Sequence, residues 1–573
     1  MAKFTVSPGV AISEIDNTFL TGQPIQAGAA IIGPTVKGPV EKPTLVTSYS
    51  DFQMLFGDIF TSGGNAYSYL TSIAAYNYFN YGGTSLLVAR VASGSYTSAT
   101  SSYIPTGSNG PTTGLSPFVL ETISEGILMN NSGSTTNAVL ISGSKENVRW
   151  EITNINTGSG NFNLVIRRGD DNQNNKIILE SWNNINLDPF SNRFISQVIG
   201  DQKLNYDSTN NQMQLFGSYP NNSRYVRVKT VNYTTPNYLN SNGIISNPSY
   251  TGSLPAAGSG SLDGAFGGAI GTVNNTINLY DQISTNTQGL IGSDYNNMIA
   301  LFSNPEAYQF NLLFTPGLLN DVHTTQLTSI ITNTIARGDN MFVADLVSYG
   351  SAVPQAVTQA QTRDTSYVAA YWPWVRIIDP ATGKHAWVPA STVIPGVYAF
   401  NDKVSAPWFA PAGINRGGLS TVLQAELKLT QAQRDTLYVN NINPIATLPK
   451  QGVVVFGQKT LQKADSALDR VNVRRLMIEL KNYIRQIADT LVFQQNTSVT
   501  RLAFLNRVNP YLTGIQQKQG LYAFKVIMDD SNNGPAVIDQ NQLIGQIYIQ
   551  PTRTAEFISL DFILLPTGAE FPG

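Results

Sequence analysis

Residues 65–91, NAYSYLTSIAAYNYFNYGGTSLLVARV, join an amphipathic segment to an apolar one through two adjacent glycines. The first segment predicts a helix over residues 65–81, because four of its side chains recur at helical spacing on one side. These are Leu70, Ile73, Asn77 and Tyr81. Gly82 and Gly83 are typical of a helix end, and residues 85–91 predict a buried strand. A helix that leads directly into a buried strand is the repeating unit of an α/β fold.

The same pattern continues on both sides of this unit, with a long interruption after it. Predicted strands lie at residues 29–33, 45–47, 308–314 and 341–347, and predicted helices at residues 50–56 and 321–336. In the first of these helices Ser50 takes the N-cap position and Gly57 the stop. Since loops accept inserted domains when their ends lie close together, we expect one discontinuous α/β core domain formed by residues 21–91 and 297–364.

The interruption, residues 92–296, has a different composition, rich in Ser, Thr, Asn and Gly. Short alternating segments such as residues 138–142, 162–167 and 225–229 are separated by clusters of turn residues. This pattern is typical of antiparallel strands, so we expect the core domain to carry an all-β insertion.

Both ends of the chain carry strand-like segments without a sequence neighbour that could pair with them. Near the start, Val10, Ile12 and Ile15 follow Ser-Pro-Gly, so residues 1–20 resemble an extended arm. Near the end, residues 557–564 alternate in the manner of a strand. Their side chains include Phe557, Ile558, Leu560, Phe562 and Leu564. Because the backbone groups of a strand need partners, both segments are expected to pair elsewhere.

A third unit, residues 365–573, is centred on one long predicted helix at residues 465–494. Six apolar side chains form a stripe along this helix: Val473, Leu476, Leu480, Ile484, Ile487 and Leu491. Two predicted strands follow, at residues 521–529 and 543–550. Together with the final strand they make a thin α+β unit with at least one open edge.

The long helix also carries a basic stripe, at spacings of four, seven and four residues. It consists of Arg470, Arg474, Lys481 and Arg485. One interpretation is a solvated face balanced by Asp469, Glu479 and Asp489. The other is a contact with an acidic protein surface. The stripe is too short, and the chain too neutral, for a nucleic-acid groove.

Aromatic and proline residues are dense between positions 367 and 411. Exposed rings at these positions could dock a carbohydrate or a peptide. A rigid packed joint is favoured, because proline fixes the backbone and Trp and Tyr bury a large area with few rotatable bonds.

The composition argues against several classes of protein. With 573 residues, 13% charged side chains and a formal net charge of -2, the chain has no global field to attract nucleic acid or an anionic membrane. It has no cysteine, and neither His323 nor His385 has a second ligand at metal-binding spacing. There is no P-loop, nucleophile elbow, signal peptide or apolar stretch of membrane-spanning length. We therefore expect a cytosolic product without enzyme activity, cofactor, metal or membrane span.

Five blocks of the sequence occur together, and in the same order, in one family of proteins. They are SPGVAISEID at residues 7–16, YFNYGGTSLLVARV at 78–91, YVAAYWPWVRIIDPATGKHAWVPASTVIPGVYAFNDKVSAPWFAPAG at 367–413, INPIATLPKQGVVVFGQKTL at 442–461 and NVRRLMIELKNYIRQIADTLVFQQN at 472–496. On these blocks the chain resembles the contractile-tail sheath proteins of myovirus-type phages, a family related to the sheaths of R-type pyocins and type VI secretion systems. Residues 92–296 carry no such block, consistent with the family's variable, outward-facing domain.

The resemblance implies that both chain ends leave their own subunit and add strands to the small C-terminal sheet of neighbouring subunits. Residues 365–573 would then be a C-terminal sheath domain completed by strands from those neighbours. The acceptor sheet would contain Tyr522, Phe524, Val526, Ile544, Ile547 and Ile549. The long helix would face a tail tube, which makes the four residues of the basic stripe candidates for contact with that tube.

The implied assembly is a stack of hexameric rings around a tail tube, which contracts to drive the tube through the host envelope during genome delivery. Its partners would be further copies of the chain, the tail tube protein, the baseplate, and tail terminator or neck proteins. Its location would be the virion, after assembly in the host cytoplasm. Two other functions stay open. One is a tail-associated glycan hydrolase, for which no carboxylate pair stands out; the other is a β-rich surface adhesin or receptor-binding protein acting through residues 92–296.

Overall fold

The structure, a computed structural model, describes residues 25–107, 114–271 and 277–557. Its largest element is an eight-stranded sheet, which we call the core sheet. Its strands in chain order are Ala29–Gly33, Thr44–Val46, Leu86–Arg90, Leu312–Leu319, Met341–Asp345, Val368–Trp372, Asn443–Leu448 and Gly452–Val455. A short parallel pair, Ile25–Ala27 with Tyr308–Phe310, precedes the first and fourth of these strands.

Six strands of the core sheet are parallel, and one antiparallel strand closes each edge. Ala29–Gly33 lies between Leu86–Arg90 and Leu312–Leu319. From this centre the chain adds strands in both directions, ending at Thr44–Val46 on one edge and Gly452–Val455 on the other. The central strands are buried along their whole length and mostly apolar, as expected for a parallel sheet that is covered on both faces.

Helices cover both faces of the core sheet. Tyr49–Phe56, Leu70–Asn80 and Ile394–Val404 pack on one face, and Asn296–Leu301, Thr324–Arg337, Val353–Gln361 and Gln431–Val439 on the other. The first face also carries a small antiparallel sheet of Val375–Ile378, His385–Val388 and Val422–Ala425. Neighbouring residues of one strand enter opposite hydrophobic clusters, since Leu86 and Val88 belong to one cluster and Leu87 and Ala89 to the other.

Two helix boundaries differ from the predictions. The helix predicted over residues 65–81 begins only at Leu70, because Asn65–Tyr67 forms one strand of a short hairpin. The N-cap of the preceding helix is Ser48 rather than Ser50. Both serines fit the N-cap pattern, and only the backbone geometry distinguishes them.

The core sheet continues past the domain boundary that we predicted between residues 364 and 365. Three of its strands lie beyond that point, and Tyr371 pairs in parallel with Asn443. The predicted boundary therefore cuts through a single sheet, and the core extends to residue 455. Four aromatic residues of this part, Tyr371, Trp372, Trp374 and Tyr398, are buried, as the packed-joint interpretation predicts.

Between the two halves of the core lies a β-rich region, residues 98–267, with a hydrophobic cluster of its own. Its main sheets are Ser98–Ser101, Phe118–Glu125, Val226–Val231 and Phe266–Gly267; Val148–Asn156, Asn161–Arg168 and Ile178–Ile185; and Lys203–Asp207 with Gln212–Phe216. Two single-turn helices, Ile195–Ile199 and Ser249–Ser253, depart from the predicted all-β pattern. Ion pairs such as Lys37 with Glu146, at 2.6 Å, connect the region to the core.

The described part of the chain ends in a layer of two long helices, one short helix and two strands, which we call the C-terminal module. These elements are Val471–Asp489, Ser498–Gln517, Leu521–Ile527, Pro535–Asp539 and Gln546–Pro551. The predicted apolar stripe on the first helix is confirmed, because its members are buried or pack against buried residues. The second helix was missed by the sequence analysis. Its Phe504, Val508, Leu512 and Ile515 share one hydrophobic cluster with the first helix and the strands.

Candidate inter-subunit site

In the described part of the chain, the two strands of the C-terminal module pair only with each other. Their antiparallel register places Phe524 opposite Ile549 and Val526 opposite Ile547. These four predicted acceptor residues pack against the helices of the module. Within the described ranges each strand therefore has an outer edge without a neighbouring strand, and such an edge can accept a strand from another chain.

The other face of the two-stranded sheet is exposed. Tyr522 is 64% exposed and Tyr548 is 55% exposed, and Tyr548 lies opposite Lys525. One predicted acceptor residue, Ile544, falls outside the strand that was assigned to it. The strand begins later, at Gln546, because the backbone N–H of Ile544 donates to Asn533 Oδ1 at 2.8 Å and holds this position in the preceding loop.

The segment after the second strand leads back to the core. Glu556 accepts three hydrogen bonds there, from Tyr438 Oη at 2.6 Å, Gln458 Nε2 at 2.9 Å and Arg470 Nε at 2.8 Å. We call this group the Glu556 clamp. The next residue, Phe557, is 83% exposed. Phe557, the first residue of the predicted tail strand, thus directly follows a residue that is hydrogen-bonded to the core.

The electrostatics of the Glu556 clamp favour an ionised carboxylate. Burial alone would raise the pKa of Glu556, but the hydrogen bonds from Tyr438, Arg470 and Gln458 outweigh it and hold the pKa below the ordinary value. The pKa of Tyr438 is raised by burial and by its hydrogen bond to Glu556, so its hydroxyl keeps the proton that it donates. Arg470 also pairs with Asp469 at 2.8 Å. The clamp is therefore part of a charged network at the junction of the core and the C-terminal module.

Most of the predicted inter-subunit residues lie outside the described ranges. They are Val10, Ile12, Ile15, Ile558, Leu560, Phe562 and Leu564. The described chain starts with Ile25–Ala27, and of the predicted tail strand only Phe557 is described. The pairing of these segments stays a prediction.

The predicted basic stripe is not one continuous exposed surface. Arg474 is 5% exposed, and its guanidinium lies 4.0 Å from the ring centroid of Tyr367. Arg470 belongs to the Glu556 clamp. Lys481 and Arg485 are exposed, and Arg485 lines a cleft of about 820 Å³ between the core and the first helix of the module. Lys481 also donates to Tyr367 Oη at 3.1 Å. Three members of the stripe thus make contacts within the chain, and Lys481 and Arg485 are the two exposed members.

The usual ligand crevice of a doubly wound sheet is filled by the chain itself. Such sheets bind ligands where adjacent central strands lead in opposite directions, here between Ala29–Gly33 and Leu312–Leu319. The buried Gln288 accepts the N–H of Leu70 through Oε1 at 2.7 Å, at the start of a helix. The buried Thr287 donates through Oγ1 to a carbonyl of the neighbouring strand at 2.7 Å. Gln288 therefore occupies the position where a helix N-terminus would bind an anion.

The described residues contain no group of three or more His, Asp and Glu side chains arranged to hold a metal ion. Nor does any helix in the described ranges combine the length and apolarity needed to cross a membrane. His323 is buried, and its Nδ1 accepts the N–H of Leu319 at 3.1 Å, which is a structural role. His385 lies exposed at the start of a strand.

Comparison with known proteins assigns the second half of the chain to two domains. Residues 288–461 match the phage tail sheath protein central domain, and residues 463–564 match the phage tail sheath C-terminal domain. The chain is 38% identical over 217 residues to the tail sheath protein of Vibrio phage KVP40, which covers 38% of this chain and 32% of that protein. It is 40% identical over 193 residues to the tail sheath protein of Enterobacteria phage T4, covering 34% and 29% of the two chains.

A third tail sheath protein, from Salmonella phage ViI, is 28% identical over 336 residues, covering 55% of this chain and 52% of that protein. The alignments therefore span about a third to a half of the length of these curated relatives.

Proposed function

We propose that the chain is a structural subunit of a contractile tail sheath, because residues 288–461 and 463–564 match two phage tail sheath domains and the chain is similar to phage tail sheath proteins. Copies of the chain polymerise as stacked hexameric rings around a tail tube. The observation that carries this proposal is the two-stranded sheet, whose outer edges have no partner in the described ranges and which lies beside a segment that leads out of its own module.

Strand donation supplies what this sheet lacks. The two strands are stabilised on one face by the helices of the module, but their outer edges have no strand partner in the described ranges. In the proposed assembly residues 10–15 and 557–564 of neighbouring subunits extend the sheet on its two edges. Each main-chain hydrogen bond contributes about 0.5–1.5 kcal/mol, so a donated strand contributes several such increments. Its alternating side chains fix the register.

The free energy for contraction comes from the rearrangement of interfaces that are formed during assembly. The core and the C-terminal module move as near-rigid bodies, while the donated strands keep each subunit joined to its neighbours. This movement drives the tube through the host envelope during genome delivery. It needs no nucleotide, and the ligand crevice filled by Gln288 and Thr287 supports this part of the proposal.

The regions of the chain have distinct proposed roles. Residues 1–20 form the donated arm, and residues 92–296 form an outward-facing domain. The C-terminal module faces the tail tube, where Lys481 and Arg485 are the exposed basic residues proposed to contact it. The remaining partners are the baseplate, which triggers contraction, and tail terminator or neck proteins. The subunit is assembled in the host cytoplasm and becomes part of the virion.

Two matched truncations test this proposal. A chain that ends at Glu556 loses the donated strand, and we expect it to remain a soluble monomer under conditions in which the full chain forms rings or tubes. A chain that ends at Pro566 keeps residues 557–564 and is the control, which we expect to polymerise. Light scattering and negative-stain electron microscopy measure both. Polymers formed equally by the two truncated chains would contradict strand donation.

A further inference from the structure

The end of the described chain is held by a different part of the molecule from the strand before it. Gln546–Pro551 belongs to the sheet of the C-terminal module. Glu556, five residues later, bonds to Tyr438, on a helix that packs against the core sheet, and to Gln458, just after the last core strand. Residues 552–556 therefore bridge the C-terminal module and the core.

The contacts that fix this bridge are hydrogen bonds. None of its residues belongs to a hydrophobic cluster, and Arg553, Thr554 and Ala555 are exposed. Besides the Glu556 clamp, the bridge is held by Asn472 Nδ2, which donates to Thr554 Oγ1 at 3.2 Å, and by a backbone bond from Thr552 to Gly520. Clefts of about 470 and 540 Å³ lie on its two sides, both lined by residues 554–557.

A segment with these properties can leave its site without opening the core. Residues 552–556 contribute no side chain to a hydrophobic cluster, so the main loss on their release is the charge-assisted hydrogen bonds of Glu556. A strand of the core sheet could not leave in this way, because both of its faces are packed. These contacts can therefore break and form again while the core stays folded.

We propose that the Glu556 clamp is a releasable hold that sets the reach of the C-terminal tail. When the clamp is closed, residues 558–573 start from a fixed point on the core. When it is open, residues 552–556 join the tail and lengthen its reach by roughly 17 Å, at about 3.3 Å per extended residue. The clamp is closed in the single subunit, which is the form that adds to a growing polymer. It stays closed in the extended sheath and opens when neighbouring subunits move relative to one another during contraction. This inference rests on the proposed function, because reach matters only when the tail pairs with a neighbouring subunit.

A disulfide lock tests the release step. The chain has no cysteine, so the double variant Asn472→Cys, Thr554→Cys contains one unique pair of thiols. Asn472 Nδ2 and Thr554 Oγ1 lie 3.2 Å apart in the closed clamp, so closure brings these two positions next to each other. We expect the oxidised full chain to assemble an extended sheath as the wild type does. On triggering with urea, we expect fewer than about a tenth as many particles to contract, and reductant to restore contraction.

Each other outcome of this experiment overturns the proposal. Oxidised and reduced particles that contract to the same extent would mean that the clamp does not need to open. A crosslink yield no higher than in the single variant Asn472→Cys, where no intramolecular disulfide can form, would mean that the clamp is not closed. If the chain ending at Glu556 stays monomeric while the locked chain contracts normally, only the clamp proposal fails. If that truncated chain polymerises, strand donation itself fails.

The opposite change tests the same step without a crosslink. Glu556→Gln keeps the shape of the side chain but removes the charge that strengthens its bonds to Tyr438 and Arg470. We expect sheaths of this variant to contract at a lower urea concentration than the wild type. Asp539→Asn, at an exposed position outside the clamp, is the charge-matched control and is expected to leave the threshold unchanged. Equal thresholds for Glu556→Gln and the wild type would contradict a clamp that holds against contraction.

Discussion

The core sheet and the sheet of the C-terminal module differ in how their edges and faces are covered. The core sheet has eight strands, helices on both faces and an antiparallel strand at each edge. The other sheet has two strands, one covered face, and outer edges that are unpaired in the described part of the chain. Both are built from apolar, β-forming sequence. They differ in how much of the pairing and covering each receives from its own chain.

This difference separates stability from assembly. A sheet whose faces and edges are supplied locally stabilises the subunit by itself. In the proposed assembly the two-stranded sheet gains further strands from other copies, which would couple its completion to polymerisation. Substitutions in the two sheets are therefore expected to have different effects on stability, and the following variants test that difference.

The largest effect is expected in the core. Phe314→Ala removes a fully buried ring from a central strand and leaves a cavity, at a cost of about 3–5 kcal/mol. Thermal unfolding of the full chain, followed by circular dichroism, should show a lower midpoint than the wild type. Tyr548→Ala in the module is the control, because that ring is mostly exposed and its loss should change stability by less than about 0.5 kcal/mol. Equal midpoints for the two variants would remove the contrast between the sheets.

A pH-dependent effect is expected at Asp345, at the end of a core strand. Burial raises the pKa of this carboxyl to about 7, although Ser391 donates two hydrogen bonds to it. An unfolded aspartate titrates near a pKa of about 3.9. Stability from Asp345 is therefore fully present below about pH 4 and is lost as the pH rises toward about 7, on the order of 4 kcal/mol in total.

Asp345→Asn removes this titration and so isolates it. Relative to Asp345→Asn, the wild type should have a higher melting temperature at pH 5 than at pH 8, because only the wild type loses a proton in the folded core. Asp539→Asn, at an exposed position, should show no such difference. Parallel melting curves for Asp345→Asn and the wild type at both pH values would mean that Asp345 does not titrate in this range.

A smaller and more local effect is expected in the C-terminal module. Val526→Asp places a charge on the face that packs against the helices, at a cost of about 2 kcal/mol. Limited proteolysis should then cut between residues 471 and 557 and leave the core intact. Lys525→Asp, on the exposed side of the same strand, is the control and should resist cleavage as the wild type does. Simultaneous degradation of the core would show that the two sheets are not independent.

The smallest effect is expected at Gln288, whose side chain lies where a ligand would bind in a doubly wound sheet. Gln288→Ala leaves the N–H of Leu70 without its partner, which costs about 1 kcal/mol. Hydrogen exchange at the start of that helix should become faster. Gln282→Ala, an exposed glutamine six residues earlier, should leave the exchange rate unchanged. Unchanged exchange in Gln288→Ala would mean that this bond does not stabilise the helix start.

The sequence predicted the elements with strong local patterns. The strand Ala29–Gly33 and the apolar stripe of the helix Val471–Asp489 follow from composition and periodicity alone. The helix Ser498–Gln517 was missed because Pro510 and several polar residues obscure its period, although its four core side chains recur at spacings of four, four and three. Thr497, which accepts the N–H of Thr500, was a usable start signal.

Other features depend on distant residues and have no local signature. The strand Val368–Trp372 reads as apolar in either domain, and only its pairing shows that it belongs to the core sheet. The Glu556 clamp joins residues 86 to 118 positions apart, so nothing near Glu556 in the sequence identified its partners. Burial of Arg474 was hidden for the same reason, since Tyr367 lies far away along the chain.

Electron cryomicroscopy of the polymer formed by the full chain would test the central claim most directly. The account predicts density for residues 557–564 of one subunit hydrogen-bonded to Leu521–Ile527 or Gln546–Pro551 of a different subunit. Density showing residues 557–564 paired only within their own chain, with the outer edges of that sheet left unpaired in the polymer, would contradict it.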